Sequence, residues 1–205
     1  MHGQEFTTPH VIAATVLTSL SCGFFHSAQG NWGTSQPDQL STSTLWCPPT
    51  GWIKINLDRA EPKNNKAGIG IVVRNHRGVV QLTAGSGLSH WDPGQVEFAA
   101  LLSLRRLLTP AMLEAKGIII EGDCKNVLDV CRNSLRRANW NDATFIAHDL
   151  YFLAELNQLL IRHIPREANR LADFCATYGS SYNFVWNDVV DAPPEFIEIV
   201  HDDFG

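Results

Sequence analysis

The chain has 205 residues, 44% of them hydrophobic and 18% charged, a balance that excludes a wholly disordered or collagen-like chain and suits one domain with some spare chain. No apolar run reaches the roughly 18 residues that a membrane-spanning helix needs. The net charge of −5 argues against a nucleic-acid partner only as a sum: all 16 Lys and Arg lie between Lys54 and Arg170, so the span from Trp46 to Ser180, with 13 acids, is +3 and the flanks together are −8.

Residues 1–45 read as an N-terminal arm and linker. Val11 to Phe25 is partly apolar, but Met1 to His10 holds no Lys or Arg, so a secretory signal is not expected. Residues 27–50 are rich in Ser, Thr, Gln, Gly and Pro and end at Pro48-Pro49, which is linker chemistry. Trp52 to Asp58 alternates apolar and polar residues, as a half-buried strand does. A polar loop, Glu61 to Lys66, leads to a second strand at Ala67–Val73, and Asn75-His-Arg-Gly78 is a turn before a third at Val79–Ala84. The period then becomes helical from Val96 to Leu108, between Pro93 and Pro110. Ile118 to Ile120 reads as a buried strand. Helices are expected from Lys125 to Leu135 and from Asp142 to Leu156. Gln158–Ile164 is the last expected strand and Glu167–Tyr178 the last expected helix of the domain. This order predicts an α/β fold whose mixed five-stranded sheet, three antiparallel strands then two parallel, is flanked by helices.

Four acids occupy positions that suit a site. Asp58 ends one strand and Asp123 ends another, and strand ends are where open sheets leave a crevice. Glu97 opens the first apolar helix, and Asp173 lies among Leu171, Ala172 and Phe174 on the last. Taken singly, Asp123 reads as a helix N-cap, Glu97 as an acid favouring a helix dipole, and Asp173 as a half-buried hydrogen-bonding residue. Taken together, four carboxylates gathered by the sheet need a counter-charge. Hard divalent cations supply it, and two of them about 4 Å apart activate water and stabilise a leaving oxygen at a phosphodiester.

Five segments in order carry a resemblance: Pro48-Pro49 through Lys54-Ile-Asn-Leu-Asp58; Gly68-Ile-Gly-Ile-Val-Val-Arg74-Asn-x-x-Gly78; Val96-Glu97-x-x-Ala100-Leu101; Glu121-x-Asp123; and Pro165-Arg166-Glu167-x-Asn169-x-x-Ala172-Asp173. The series resembles a type 1 ribonuclease H domain of the plant, retroelement-derived, reverse-transcriptase-like kind. It covers about residues 46–180, and similar proteins end in an acidic tail like residues 181–205. The resemblance implies endonucleolytic hydrolysis of the RNA strand of an RNA–DNA hybrid, with two Mg2+ ions for which Mn2+ substitutes. It implies Asp58 as the central acid, Asp173 on the water-activating side, and Glu97 with Asp123 on the leaving-group side. Asn169 and Arg166 fall where similar domains place polar groups near the nucleic acid. The family usually has Gly after its first Asp, where this chain has Arg59, poised either to crowd the backbone there or to pair with Asp58.

Arg105 and Lys125 join Asn169 and Arg166 as candidate nucleic-acid contacts, since phosphate binding needs basic side chains on one face. His163 reads as a strand residue with an ordinary partner. Trp91 and Trp140 either pack on the core edge or stack on bases, and Trp52 is structural. Cys22, Cys47, Cys124, Cys131 and Cys175 are odd in number and hold no C-x-x-C pair, so they read as reduced thiols of an intracellular protein, nuclear or cytoplasmic. The alternative to an enzyme is a catalytically silent, retroelement-derived module that binds nucleic acid or protein.

Overall fold

In the computed structural model, residues 47–63, 66–89, 93–136 and 149–204 are described. The expected arm and linker, Trp91, Trp140, Cys22 and most of the helix expected from Asp142 lie outside them. The first three strands are β1 (Trp52–Lys63), β2 (Lys66–Asn75) and β3 (Val80–Ser89). They form an antiparallel meander, with β1 and β2 in register from Ile53↔Asn75 to Ala60↔Gly68. β1 runs past Asp58 because the ladder resumes beyond an irregularity at Lys63↔Lys66, which shortens the polar loop expected over Glu61–Lys66. At the next turn the Asn75 side-chain oxygen accepts from the Arg77 and Val79 amides, a local bond characteristic of Asn in turns.

Helix α1 (Pro93–Leu107) and a single turn, α2 (Pro110–Leu113), lead into β4 (Gly117–Gly122). Then come α3 (Lys125–Arg136), the single-turn α4 (Tyr151–Ala154), β5 (Leu159–His163), a 3-10 turn at Arg166–Ala168 and α5 (Arg170–Gly179). The remaining chain adds β6 (Phe184–Trp186) and α6 (Pro194–Phe204). The sheet has six strands in the order β5-β4-β1-β2-β3-β6. β4 runs parallel to β1, and β5 to β4. The α/β class and the mixed sheet are therefore as expected, with β6 added antiparallel on the edge of β3. Among the described residues no helix is long and apolar enough to cross a membrane.

Both faces of the sheet are covered, which is why Ile118, Ile119 and Ile120 are all buried. Ile53, Ile55 and Leu57 of β1 point into the larger core with α1 and α3. On the other face, Val72 of β2 packs with Leu171, Ala172 and Cys175 of α5 and Phe196 of α6. The polar half of β1's alternation, Lys54, Asn56 and Asp58, is buried as well. The strand is thus not half-buried as its period suggests: the alternation separates two covered faces, not core from water.

Helix α5 lies directly on the backbone of β2. A β-carbon at Gly70 would overlap the Ala172 carbonyl and the Ala176 amide nitrogen, and one at Gly68 would overlap the Ala176 carbonyl. Gly68 and Gly70 therefore set how closely the helix docks. Residues 181–205, read as an acidic tail, hold a strand and a helix. Phe196 is fully buried, and Asp203 meets the buried Arg74 guanidinium at 2.6 Å. Burial raises the Cys131 thiol to about 12 and pushes Cys175 up further, so both remain protonated and pack as small apolar side chains.

Candidate active site

Two register facts bring the acids toward one another. Leu57 pairs with Gly122 across the parallel β1–β4 ladder; Asp58 follows Leu57 within β1, and Asp123 follows Gly122 just past the end of β4. Asp58 also pairs with Gly70, the glycine over which α5 docks, one turn from Asp173. The same strand position thus faces the end of β4 on one side and the start of α5 on the other.

Asp58 is 2% exposed. Its Oδ1 accepts the backbone N–H of Arg59 at 2.7 Å, while its Oδ2 is buried with no hydrogen-bond donor. Desolvation, then the Asp123 carboxylate, with Asp173 and Glu97 adding to it, raise its pKa from 3.8 to about 7. Each of the three other predicted acids therefore acts on Asp58.

Glu97 projects from α1, which begins at Pro93, so Glu97 belongs to the second turn and not to the helix start. It is 3% exposed. Its Oε1 accepts the Cys124 amide at 3.1 Å, and its Oε2 has no hydrogen-bond donor but lies 3.6 Å from Arg59 Nε. Desolvation raises its proton affinity, with Asp123 contributing. Asp173 sits in the first turn of α5, partly exposed, 3.0 Å from Arg166 Nη2. Arg59 meets Asp58 through its backbone amide, while its guanidinium pairs with Glu97.

Asn169 is buried, and its amide joins two parts of the frame. Nδ2 donates to the Leu57 carbonyl at 2.8 Å and Oδ1 accepts from Asn56 at 3.1 Å. The predicted role as a nucleic-acid contact does not suit a side chain that is 2% exposed. It ties the strand just before Asp58 to the residue that starts α5. Asn56 also reaches Glu121, which meets Lys54 and Arg162 at 3.7 and 3.6 Å. Sequence reading missed this network, although Lys54 and Asn56 stand on the Asp58 face of the strand alternation. Asn169→Ala leaves the Leu57 carbonyl without its donor and should lower stability by about 1–3 kcal/mol. Urea denaturation measures it; an unchanged midpoint would contradict the bonding described.

Arg166 is exposed beside Asp173, and with Arg170 it lines a cleft of about 440 Å3 between α5 and α6. Arg105 is exposed in the last turn of α1, roughly 12 Å along the helix from Glu97. Lys125 opens α3 and bonds Asp129. His163 ends β5, with Nε2 at 3.1 Å from the Asp123 carbonyl. Trp52 lies over Gly117, consistent with a structural role.

A family model described as reverse transcriptase-like matches residues 59–179. The chain belongs to the reverse-transcriptase-like family. Three of the four acids of this reverse-transcriptase-like domain fall inside the match, and Asp58 immediately precedes it. The N-terminal RNase H domain of Rv2228c from Mycobacterium tuberculosis, solved as a fusion with maltose binding protein, is similar at 18% identity. It covers 63% of this chain and 93% of that one with a TM-score of 0.51. The fold is thus ribonuclease H-like. RNase H1 from Halobacterium salinarum NRC-1 aligns at 21% identity over 63% and 97% of the two chains, TM-score 0.48. LC11-RNase H1, solved in complex with an RNA/DNA hybrid, aligns at 20% over 62% and 94%, TM-score 0.44. No curated protein matches the chain.

Among the described residues, no group of three or more His, Cys, Asp or Glu side chains stands ready-made to hold a metal ion. The donor set nonetheless fits a hard divalent cation: four carboxylates, two of them buried, each with an oxygen that no hydrogen bond satisfies. Two of the four are engaged by arginines instead.

Proposed function

We propose that residues 46–180 form a metal-dependent endonuclease that hydrolyses the RNA strand of RNA–DNA hybrids. The observation that carries this reading is Asp58 Oδ2, buried and unsatisfied, on a carboxyl group that burial and then three neighbouring carboxylates push toward neutrality. A buried acid surrounded by acids is costly unless positive charge arrives. Asp58, Glu97, Asp123 and Asp173 are the residues that would hold Mg2+. When bound, the metal supplies that charge, lowers the proton affinity of water and stabilises the leaving oxygen.

The chain's own part is positioning. Asn169 and the Gly68–Gly70 seam fix the middle of β1 and its neighbour β2 against α5, so Asp58 and Asp173 keep their relation. Arg166 faces solvent next to Asp173, where an approaching phosphate oxygen competes for its guanidinium. Arg105 and Lys125 are proposed to contact phosphates further along the duplex. The 2′-hydroxyl is the local feature by which such a groove tells RNA from DNA.

The test is an end-labelled RNA–DNA hybrid incubated with the chain and Mg2+ or Mn2+. Internal cuts in the RNA strand alone, leaving 3′-hydroxyl and 5′-phosphate ends, are expected. Hybrid binding without cleavage in either metal would reject the enzyme and favour the silent binding module. Arg59 and Arg166 already pairing with two of the acids is the observation on that module's side.

A further inference from the structure

We propose that the Arg59 guanidinium stands in for one of two cations, so that this chain's acid cluster takes a single divalent ion, on the Asp58 and Asp173 side. The inference rests on the reading of the cluster as a metal site and refines it.

The two carboxylates that flank Asp58 are paired very differently. Glu97 is buried, with Oε1 on the Cys124 amide and Oε2 at 3.6 Å from Arg59 Nε. A guanidinium is always charged, and this one is only 26% exposed. An ion that bound Glu97 would have to break a mostly desolvated ion pair and return Arg59 to water. Asp173 also meets an arginine, but that pair is open: the Arg166 side chain is 64% exposed and Asp173 37%. Water screens such a pair, and its release is easy. Asp58 Oδ2 is buried and meets neither a hydrogen-bond donor nor an arginine.

Backbone geometry keeps Arg59 where it is. Its amide is held by Asp58 Oδ1 at 2.7 Å, and its residue pairs with Ile69 inside the β1–β2 ladder. Consecutive strand residues point to opposite faces. While Asp58 faces α5, Arg59 is therefore aimed at α1 and Glu97.

The experiment counts bound Mn2+ from the loss of the free-ion EPR signal, using the full chain without nucleic acid. Wild type is compared with Arg59→Gly, Arg59→Gln and Arg59→Lys. One ion in wild type and in Arg59→Lys, with a second appearing in Arg59→Gly or Arg59→Gln, is the expected result. Two ions in wild type would overturn the inference and leave the nuclease reading intact, and that count needs no variant to fold. One ion in every protein, with Arg59→Gln shown folded by its thermal transition, would overturn it equally. No ion bound by any of them would overturn the metal-site reading itself, and this inference with it.

Discussion

Asp58→Asn is expected to remove hybrid cleavage, by roughly 10³-fold or more, while making the free protein more stable at neutral pH. The two effects share one cause. In the folded chain Asp58 keeps its proton up to about pH 7, against 3.8 ordinarily, because it is buried among Asp123, Asp173 and Glu97. Between those values the folded state holds a proton that the unfolded state has released. Stability from this group is therefore present below about pH 4, falls as pH rises through about 7, and stays low above. A gap of three pKa units corresponds to about 4 kcal/mol. Asparagine carries no charge and escapes this loss. Urea denaturation at pH 4.5, 6 and 7.5 should show wild type weakening with pH relative to the variant, and Mg2+ should restore wild type alone. Equal pH profiles would mean that Asp58 is not the strained carboxyl described here. Cleavage that survives the substitution would point to a contaminating nuclease.

Gly70→Ala is expected to unseat α5 and to be among the most damaging single changes, costing roughly 4 kcal/mol or more. The new methyl would meet the Ala172 carbonyl and the Ala176 amide nitrogen, which are backbone atoms and cannot rotate aside. The helix has to lift, and Leu171, Ala172, Cys175 and Ala176 lose their packing. Asp173 moves with it, and a displacement near 1 Å at a reacting site costs on the order of 10²-fold in rate. Gly122→Ala is the control. There the atoms nearest a β-carbon are the Leu57 carbonyl at 3.4 Å, Glu97 Oε1 at 3.7 Å and a Leu128 methyl at 3.8 Å, ordinary contacts that should cost less than about 1 kcal/mol. Thermal melts of both variants check the contrast; similar transitions in the two would refute the close docking of α5 on β2.

Much of this architecture is legible in the chain because period changes mark it. The alternation from Trp52 to Asp58, the three isoleucines of β4 and the helical spacing from Val96 onward each predict an element that the structure contains. Asp58 stands out as an acid in a strand with one apolar face. Less visible is whatever depends on what lies across a face. β6 has three residues, too few to show a period, and exists because it pairs with Thr83–Gly85 of β3. The acidic composition of the last residues hides Phe196, Ile197 and Val200, which pack near Val72, and an aspartate that meets a buried arginine. Asn169 sits in a polar stretch, Arg166 to Arg170, that reads as surface. Its burial follows from the turn folding under the middle of β1, at Asn56 and Leu57. The pairing of Arg59 with Glu97 joins residues 38 positions apart in sequence and emerges only when α1 crosses β1. A resemblance located Glu97, but its local sequence does not distinguish it from a helix-dipole acid.

The most direct test of the acid pocket is a crystal of the chain grown or soaked with Mn2+ and read by anomalous scattering. The account predicts a peak within bonding distance of an Asp58 carboxylate oxygen, with the Asp173 carboxylate turned from Arg166 toward it. Peaks only at other carboxylates, with Asp58 Oδ2 still bare at saturating Mn2+, would contradict it.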